Sequence, residues 1–203
     1  RMSISWSRVI PAGEGEVNQA GIDFYKDVFA ECHKYGIEPV VTIYHFDLPL
    51  ALREKYHTWQ DRRMADAYVE YCRVLFENFR DDVKYWLTYN EQNMLIYFCA
   101  ADMNGTGVTD LKSVYDEAHV QLWAQARAIK LCHEMCPDSK IGPAPNITTT
   151  LPATASPEDY LAALNNDDLR NNFYLDALCW GRYPKSTIAW LEHQGVELDI
   201  REG

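Results

Sequence analysis

The sequence has no long apolar run, and its cysteines do not cluster. No stretch of the 203 residues is apolar over the roughly 20 residues that a transmembrane helix needs, so we expect no membrane partner. The six cysteines fit neither a zinc ribbon nor a redox pair, because no second Cys or His pair follows Cys132 and Cys136 at zinc-finger spacing. We therefore predict no metal site and expect buried free thiols, which suit a reducing compartment.

Positive charge is also scarce. Lysine and arginine together number 19 against 30 aspartates and glutamates, and the formal net charge is −11. A chain with this balance cannot neutralise a run of phosphates, which argues against a nucleic-acid partner. No glycine-rich phosphate loop follows any predicted strand, so a nucleotide-binding domain has little support. The composition, 47% hydrophobic and 24% charged, is typical of a folded protein, and we expect an acidic cytoplasmic one.

Short apolar strands alternate with long amphipathic helices. The pattern predicts strands over residues 1–7, 39–45, 83–89 and 140–147, helices over residues 61–79, 112–135 and 158–178, and a helix that begins after Asn18 and ends at Gly36. A long loop is expected after the third strand. The alternation indicates parallel strands with crossover helices. Two α/β architectures fit, an open doubly wound sheet and part of a closed (β/α)8 barrel.

Polar residues follow the predicted strands, at the end where function collects in either architecture. His45 follows the second strand, Asn90 and Glu91 follow the third, and Asn146 follows the fourth. A carboxylate directly after an apolar strand is costly unless it is paired or used, and apolar surroundings suit a general acid. From spacing alone, Glu91 can equally be a helix-start residue and His45 a side chain bonded to local backbone. Arg1 either points inward, where it can keep a carboxylate ionised, or is a ragged terminus.

Five segments resemble motifs of glycoside hydrolase family 1. They are RMSISWSRVIP at residues 1–11, VNQAGIDFY at 17–25, GIEPVVTIYHFDLP at 36–49, TYNE at 88–91 and WGRYP at 180–184. They occur in the family's order and span nearly the whole chain. The resemblance implies an incomplete (β/α)8 TIM barrel, one single-domain fragment over residues 1–203, with about strands 2 to 5 of the barrel and their helices.

The resemblance also implies roles for the residues at the strand ends. Glu91 is then the acid/base carboxylate of a retaining β-glycoside hydrolase, Asn90 binds the sugar 2-hydroxyl, and Arg1 keeps the nucleophile ionised. His45 contacts the glycone hydroxyls. The further candidate substrate-binding residues are Phe46, which stands where Trp is usual, and Asn146. No metal or organic cofactor is implied, because two carboxylates and water suffice.

The residues after Glu91 bear on the substrate. Most family members that act on plain glucosides carry Pro directly after this Glu, whereas this chain carries Gln92 and Asn93. The departure resembles the bacterial phospho-β-glucosidase branch, so we expect the parent protein to hydrolyse small 6-phospho-β-glucosides such as cellobiose 6-phosphate in the cytoplasm. The alternatives are a β-glucosidase for non-phosphorylated glucosides and a sugar-binding remnant without activity.

We expect the nucleophile to be missing from these residues. In the family it is a Glu on the seventh strand in a Glu-Asn-Gly context, whereas this chain ends before the sixth strand and Glu202 has the wrong context. A retaining mechanism needs two carboxyl groups about 5–5.5 Å apart. Residues 1–203 alone are therefore expected to be inactive, and four strands alone leave two open sheet edges.

Overall fold

Parallel strands form one sheet. A computed structural model of the chain describes residues 1–101, 107 and 109–200, with residues 99 and 100 described by their backbone alone. The strands among them are β1 (Met2–Ser3), β2 (Val40–Tyr44), β3 (Tyr85–Asn90) and β4 (Lys140–Ala144), in the order β1-β2-β3-β4. Neighbouring strands are all parallel, with Met2 opposite Val41 and Tyr44 opposite Tyr89. The predicted parallel sheet is confirmed.

The chain divides into two compact units. The first contains Arg1–Asn90 and Trp123–Ala144, and the second contains Glu91–Leu122 and Pro145–Gly203. The described strands all belong to the first unit. The expectation that residues 1–203 belong to one domain stays a prediction. Glu202 lies outside the described residues.

Helices make up much of the rest of both units. In the first unit these are α1 (Trp6–Val9), α2 (Gln19–Lys34), α3 (Leu50–Tyr56) and α4 (Arg62–Phe79), while α6 (Leu111–Met135) starts in the second unit and ends in the first. The second unit contains a 3-10 turn (Gln92–Met94), α5 (Leu95–Ala100), α7 (Pro157–Asp167), a π-helical segment (Asp168–Asn172), α8 (Phe173–Trp180) and α9 (Lys185–His193). Within the described ranges, no helix has the length and apolar character needed to cross a membrane.

The start of the chain departs from the prediction. β1 has two residues rather than the seven expected, and the helical turn α1 begins at Trp6. The Asp47 carboxylate accepts a hydrogen bond from the Trp6 N–H at 2.9 Å, which satisfies one of the amides that a helix start leaves free. Asn18 precedes α2, as predicted, but its side chain donates to the Arg8 carbonyl at 3.0 Å instead of capping the helix.

Other predicted loops contain short helices. α3 and α9 lie where no helix was expected, and the predicted loop after β3 begins with the 3-10 turn and α5. The predicted helix over residues 158–178 is present but is divided by the π-helical segment into α7 and α8. Its start is set by Ser156, whose hydroxyl accepts a hydrogen bond from the Asp159 N–H at 3.2 Å. Short helices of this kind depend on capping and packing, so apolar periodicity alone does not reveal them.

An aromatic cluster forms the core of the first unit. Its members are Trp6, Tyr44, Trp59, Tyr68, Tyr71 and Tyr89. Trp6 stacks on Tyr71, a residue of α4, with ring centroids 4.8 Å apart. The buried Tyr71 hydroxyl lies 3.3 Å from the Ile4 carbonyl and 3.2 Å from the Ile43 carbonyl, so it is a donor shared between the ends of β1 and β2. Burial also raises the pKa of Tyr71 well above its ordinary value, which keeps the hydroxyl protonated.

The second unit has an apolar core of its own. Its buried members are Tyr115, Ala118, Leu122, Phe173, Tyr174, Leu191 and Val196. Tyr183, from the WGRYP segment, stacks on Phe173 with ring centroids 4.5 Å apart, and its hydroxyl lies 2.7 Å from His119 Nδ1. The second unit therefore buries apolar side chains from α6, α8 and α9 against one another.

The cysteines partly match the prediction of buried free thiols. Cys72, Cys132 and Cys136 are free and buried, and burial raises the pKa of the Cys72 and Cys132 thiols, which keeps them protonated. The prediction is wrong for Cys179, which is free but exposed near the end of α8. Cys32 is half-buried. The side chain of Cys99 lies outside the described residues.

We predict that Tyr71→Phe lowers the free energy of unfolding by about 1–3 kcal/mol, because it leaves two buried carbonyls without their shared donor. Urea unfolding of the protein that carries this chain measures the change. Tyr35→Phe is the control, since Tyr35 is 67% exposed and its replacement should change stability by less than about 0.5 kcal/mol. Equal effects of the two changes contradict the prediction.

Candidate active site

Arg1 and Asn90 meet in the first unit. Arg1 Nη2 donates to Asn90 Oδ1 at 2.6 Å, and Arg1 Nε donates to Thr42 Oγ1 at 3.3 Å. Asn90 is 6% exposed and Thr42 is fully buried. Arg1 is thus engaged by two side chains and is not a ragged terminus. Since a guanidinium only donates, it fixes the amide of Asn90 with its oxygen toward Arg1, and Nδ2 remains a donor for another group.

His45 and Phe46 lie on the loop that follows β2. Both side chains are exposed, with the rings edge to face at a centroid distance of 5.5 Å. Phe46 has a φ of 62°, in the left-handed region that a bulky residue rarely adopts. Such strain persists only where neighbouring contacts impose it. The loop therefore presents an imidazole and an aromatic face to solvent in a fixed conformation.

Asp47 imposes that conformation. One carboxylate oxygen accepts from the Trp6 N–H at 2.9 Å and the other from the His45 N–H at 3.2 Å, so the residue joins the segments after β1 and β2. Burial raises the pKa of Asp47, against the lowering effect of these hydrogen bonds. Asp47 was not predicted as a site residue from the sequence. An aspartate just beyond a strand, two residues after the main-chain amide that it accepts from, is a local signal that points to it.

Glu91 opens the second unit in a strained backbone conformation. Its φ of 46° and ψ of 43° lie in the left-handed region, and its side chain is half-buried. The Met94 N–H donates to the Glu91 carbonyl at 2.8 Å and closes the 3-10 turn. Among described non-glycine residues only Phe46, His57 and Glu91 have a positive φ, and two of these three lie within two residues of a strand end. Left-handed residues cost about 1–3 kcal/mol each and are concentrated at functional sites.

Asn146 is hydrogen-bonded through its main chain and through its side-chain oxygen in the second unit. Asn93 Nδ2 donates to the Asn146 carbonyl at 2.8 Å, and the Asn146 N–H donates to Asn93 Oδ1 at 2.9 Å. Arg170 Nη2 donates to Asn146 Oδ1 at 3.2 Å. The predicted fourth strand, extended to residue 147, is therefore too long, because the main chain of Asn146 is bonded to a side chain rather than to a strand. Asn93 and Arg170, which were not predicted from the sequence, thus bind this candidate residue.

The candidate residues thus form two groups. In the first unit Arg1 and Asn90 are in contact, while His45 and Phe46 lie on the loop that Asp47 holds. In the second unit Glu91 and Asn146 are linked through Asn93. No group of three or more His, Cys, Asp or Glu side chains suited to a metal ion occurs in the described parts of the chain.

The family of the chain follows from a comparison with protein-family models. The model of glycosyl hydrolase family 1 matches residues 1–203, which is the whole chain. The chain belongs to glycosyl hydrolase family 1. The expected membership, inferred from five short motifs, is confirmed.

The curated relatives include enzymes named for phosphorylated β-glucosides and enzymes named for plain β-glucosides. Aryl-phospho-β-D-glucosidase BglC of Bacillus subtilis is 42% identical over 100% of this chain and 43% of its own length. 6-Phospho-β-glucosidase AscB of Escherichia coli is 40% identical, over 100% and 44%. β-Glucosidase A of Acetivibrio thermocellus is 37% identical, over 100% and 45%. The chain spans less than half the length of these relatives.

A solved structure confirms the fold class. β-Glucosidase from Thermotoga maritima in complex with glucoimidazole superposes with a TM-score of 0.88 at 38% identity, over 94% of this chain and 44% of that one. Together with the parallel sheet and its helices, this similarity identifies a partial (β/α)8 TIM barrel.

We predict that Glu91→Gly leaves the protein about 1 kcal/mol more stable than Glu91→Ala, because glycine adopts a positive φ without cost. The same pair of changes at Glu77, an exposed residue of α4, is the matched control, and there alanine should be the more stable by about 1 kcal/mol. Chemical denaturation of the four variants measures both differences. An order at Glu91 like that at Glu77 contradicts the prediction.

Asp47 should make stability depend on pH. Burial raises its folded-state pKa above the ordinary value of 3.8, so protonation stabilises the folded state. This stabilisation is complete below 3.8 and is lost as pH rises through the folded-state pKa. The stability of wild type relative to Asp47→Asn, which does not titrate, should therefore increase as pH falls from 7 toward 3.8. Urea unfolding at several pH values tests this, and a decrease on acidification contradicts it.

Proposed function

We propose that the protein carrying this chain is a retaining β-glycoside hydrolase and that Glu91 is its general acid/base. The observation that carries the proposal is the placement of Glu91, in a family 1 chain, directly after β3 and in a left-handed conformation. In the first step Glu91 donates its proton to the glycosidic oxygen as that bond breaks. In the second step it takes a proton from the water that releases the sugar.

The second carboxylate is proposed to lie outside residues 1–203. A retaining mechanism needs a nucleophile about 5–5.5 Å from the acid/base group. The chain spans 43% of BglC, so more than half of a protein of that length lies outside it. We therefore propose that residues 1–203 by themselves do not turn over substrate, and that they form part of one barrel domain.

Arg1 and Asn90 are proposed to serve the covalent step. The Arg1–Asn90 hydrogen bond turns Asn90 Nδ2 away from Arg1, where it can donate to the sugar 2-hydroxyl. Contacts to this hydroxyl strengthen in the transition state. Arg1 makes its hydrogen bonds to neutral acceptors, Asn90 and Thr42, so its charge remains available to keep the nucleophile ionised.

His45, Phe46 and Asn146 are proposed to contact substrate. His45 and Phe46 are exposed on their loop, so a sugar can bind without displacing core side chains. An imidazole can donate to or accept from hydroxyls, and an aromatic face packs against the C–H face of a sugar. The proposed partner is a small-molecule β-glucoside, and no organic cofactor takes part in the proposed steps.

The substrate is proposed to be a 6-phospho-β-glucoside. Gln92 and Asn93 follow Glu91, as the sequence analysis noted, and the names of BglC and AscB describe phospho-β-glucosidases. Such substrates and the free thiols support a cytoplasmic location. The second candidate is a β-glucosidase for plain glucosides, which is favoured by the similarity to β-glucosidase A and to the Thermotoga maritima β-glucosidase structure.

We predict that the whole protein hydrolyses p-nitrophenyl β-glucoside 6-phosphate faster than the plain glucoside. Glu91→Gln should lower kcat/KM by about 10²–10⁴ on cellobiose 6-phosphate, whose leaving group needs protonation, and by less on the nitrophenyl substrate. Residues 1–203 alone should show no turnover. Rates on both substrates, measured side by side, test these statements.

Glu77→Gln is the control for this experiment, because it neutralises an exposed carboxylate on α4 and should leave the rates unchanged. A preference for the plain glucoside selects the second candidate. Full activity in Glu91→Gln removes the proposed role of Glu91, and a wild-type protein that binds but never cleaves glucosides is a sugar-binding remnant.

A further inference from the structure

A side-chain amide fixes the turn that begins at Glu91. We propose that Asn93 is a positioning residue, which keeps Glu91 in its left-handed conformation by joining this turn to the segment that carries Asn146. The catalytic consequence rests on the function proposed above. The conformational part concerns the backbone alone, so it can be tested without any activity.

The bonding of Asn93 is complete. Its Nδ2 donates to the Asn146 carbonyl at 2.8 Å and to the Arg170 carbonyl at 3.3 Å, and its Oδ1 accepts from the Asn146 N–H at 2.9 Å. The side chain thus pairs with both main-chain groups of one residue, as a neighbouring strand would. Asn93 is 1% exposed, so water cannot replace these bonds. Only an amide of this length supplies both donors and the acceptor.

Arg170 holds the same segment from the other side. Its Nη2 donates to Asn146 Oδ1 at 3.2 Å and to Thr148 Oγ1 at 2.7 Å, and its guanidinium lies over the Tyr97 ring, 5.0 Å from the centroid. Arg170 belongs to the π-helical segment, whose irregular carbonyls include the one that Asn93 binds. Asn93 thus binds the main chain of Asn146, and Arg170 binds its side chain. These contacts fix the segment to which the turn at Glu91 is joined.

The contrast with Gln92 shows that burial alone does not produce such bonding. Gln92 lies in the same 3-10 turn and is 6% exposed, yet neither its Nε2 nor its Oε1 has a hydrogen-bond partner in the part of the chain that the structure describes. The turn therefore has one bonded amide and one unbonded amide in adjacent positions. The anchor of the turn is the side chain of Asn93.

The hydrogen-bonded turn connects Asn93 to the backbone of Glu91. The Met94 N–H donates to the Glu91 carbonyl at 2.8 Å, so residues 91–94 form one hydrogen-bonded ring with Asn93 inside it. A left-handed glutamate is strained and relaxes to a negative φ unless its surroundings prevent it. If Asn93 releases the turn, the backbone of Glu91 can rotate and its carboxyl group moves with it. A misplacement of about 1 Å is enough to cost 10²-fold in rate.

The conformational test is a double-mutant cycle. Glu91→Gly and Glu91→Ala are each made in wild type and together with Asn93→Leu or Asn93→Asp. In the wild-type background the alanine variant should have an unfolding constant about fivefold larger than the glycine variant, because only glycine adopts a positive φ freely. In both Asn93 backgrounds this ratio should fall to about one or reverse. Chemical denaturation of the whole protein gives the constants.

Asn93→Asp is the second variant because Asn93→Leu can prevent folding. It has nearly the size of asparagine and keeps an oxygen for the Asn146 N–H, but it has no donor for the two carbonyls. In the unaltered protein, amide hydrogen exchange provides a further test, because the Asn146 N–H should be strongly protected. Thr187→Val is the control for loss of a buried polar atom, since Thr187 is 1% exposed and its hydroxyl has no partner among the described residues. It should leave the ratio at fivefold.

The catalytic arm compares leaving groups. Asn93→Asp should lower kcat/KM about 10- to 100-fold on cellobiose 6-phosphate and at least fivefold less on p-nitrophenyl β-glucoside 6-phosphate, because only the first needs a well-placed acid. Thr187→Val should change neither rate. Equal losses on the two substrates indicate a merely structural role and overturn the positioning of the acid.

A ratio that stays fivefold in both Asn93 backgrounds overturns the proposal, and so does rapid exchange of the Asn146 amide in wild type. If the wild-type protein cleaves no β-glycoside, the proposed function fails, whereas the cycle still decides whether Asn93 holds Glu91. The two failures are therefore distinguishable.

Discussion

The parallel register of the strands is the constraint on which the first unit's candidate site depends. Tyr44 lies opposite Tyr89, so the chain leaves β2 and β3 at the same level, and the loop with His45 starts beside Asn90. Two tyrosines of α4 hold these ends. Tyr71 lies within hydrogen-bond distance of the Ile4 carbonyl, just beyond β1, and of the Ile43 carbonyl in β2, and Tyr68 donates to the Thr88 carbonyl of β3 at 3.1 Å. Because Tyr68 and Tyr71 are three residues apart, one face of one helix fixes all three strands.

The backbone strain of residues near the strand ends is offset by hydrogen bonds from neighbouring polar side chains. Phe46 and Glu91 are both left-handed, and each is followed within two residues by a polar side chain that binds at least one main-chain group on another segment. Beside Phe46 this is the carboxylate of Asp47, and beside Glu91 it is the amide of Asn93. The stabilisation of about 0.5–1.5 kcal/mol from each such bond is comparable to the strain of one residue. The strained residues carry the proposed chemistry, and the unstrained polar residues hold them.

The sequence could predict the strands and long helices because each has a periodic or β-branched pattern of its own. β2 and α4 are examples, and both lie within two residues of their expected bounds. It could also predict the candidate residues at strand ends, including Glu91 and His45, because the carboxyl ends of parallel strands collect functional groups. It could not predict Asn93 or Arg170. Their partners lie 53 and 24 residues away from them along the chain, and no local pattern encodes a contact of that range.

Long separation along the chain also explains why the orientations of the Asn90 and Asn146 side-chain amides could not be predicted from the sequence. An asparagine can present either its oxygen or its nitrogen to a sugar, and the choice is set by its protein partner. In each unit that partner is an arginine: Arg1 for Asn90 and Arg170 for Asn146. Since arginine has only donors, each amide must turn its oxygen to the guanidinium and keep its N–H groups for another acceptor. The two arginines thereby fix both proposed substrate contacts as hydrogen-bond donors. Neither arginine has a carboxylate within ion-pair distance among the described residues. The charge of Arg1 is therefore available to the proposed nucleophile, which is anionic.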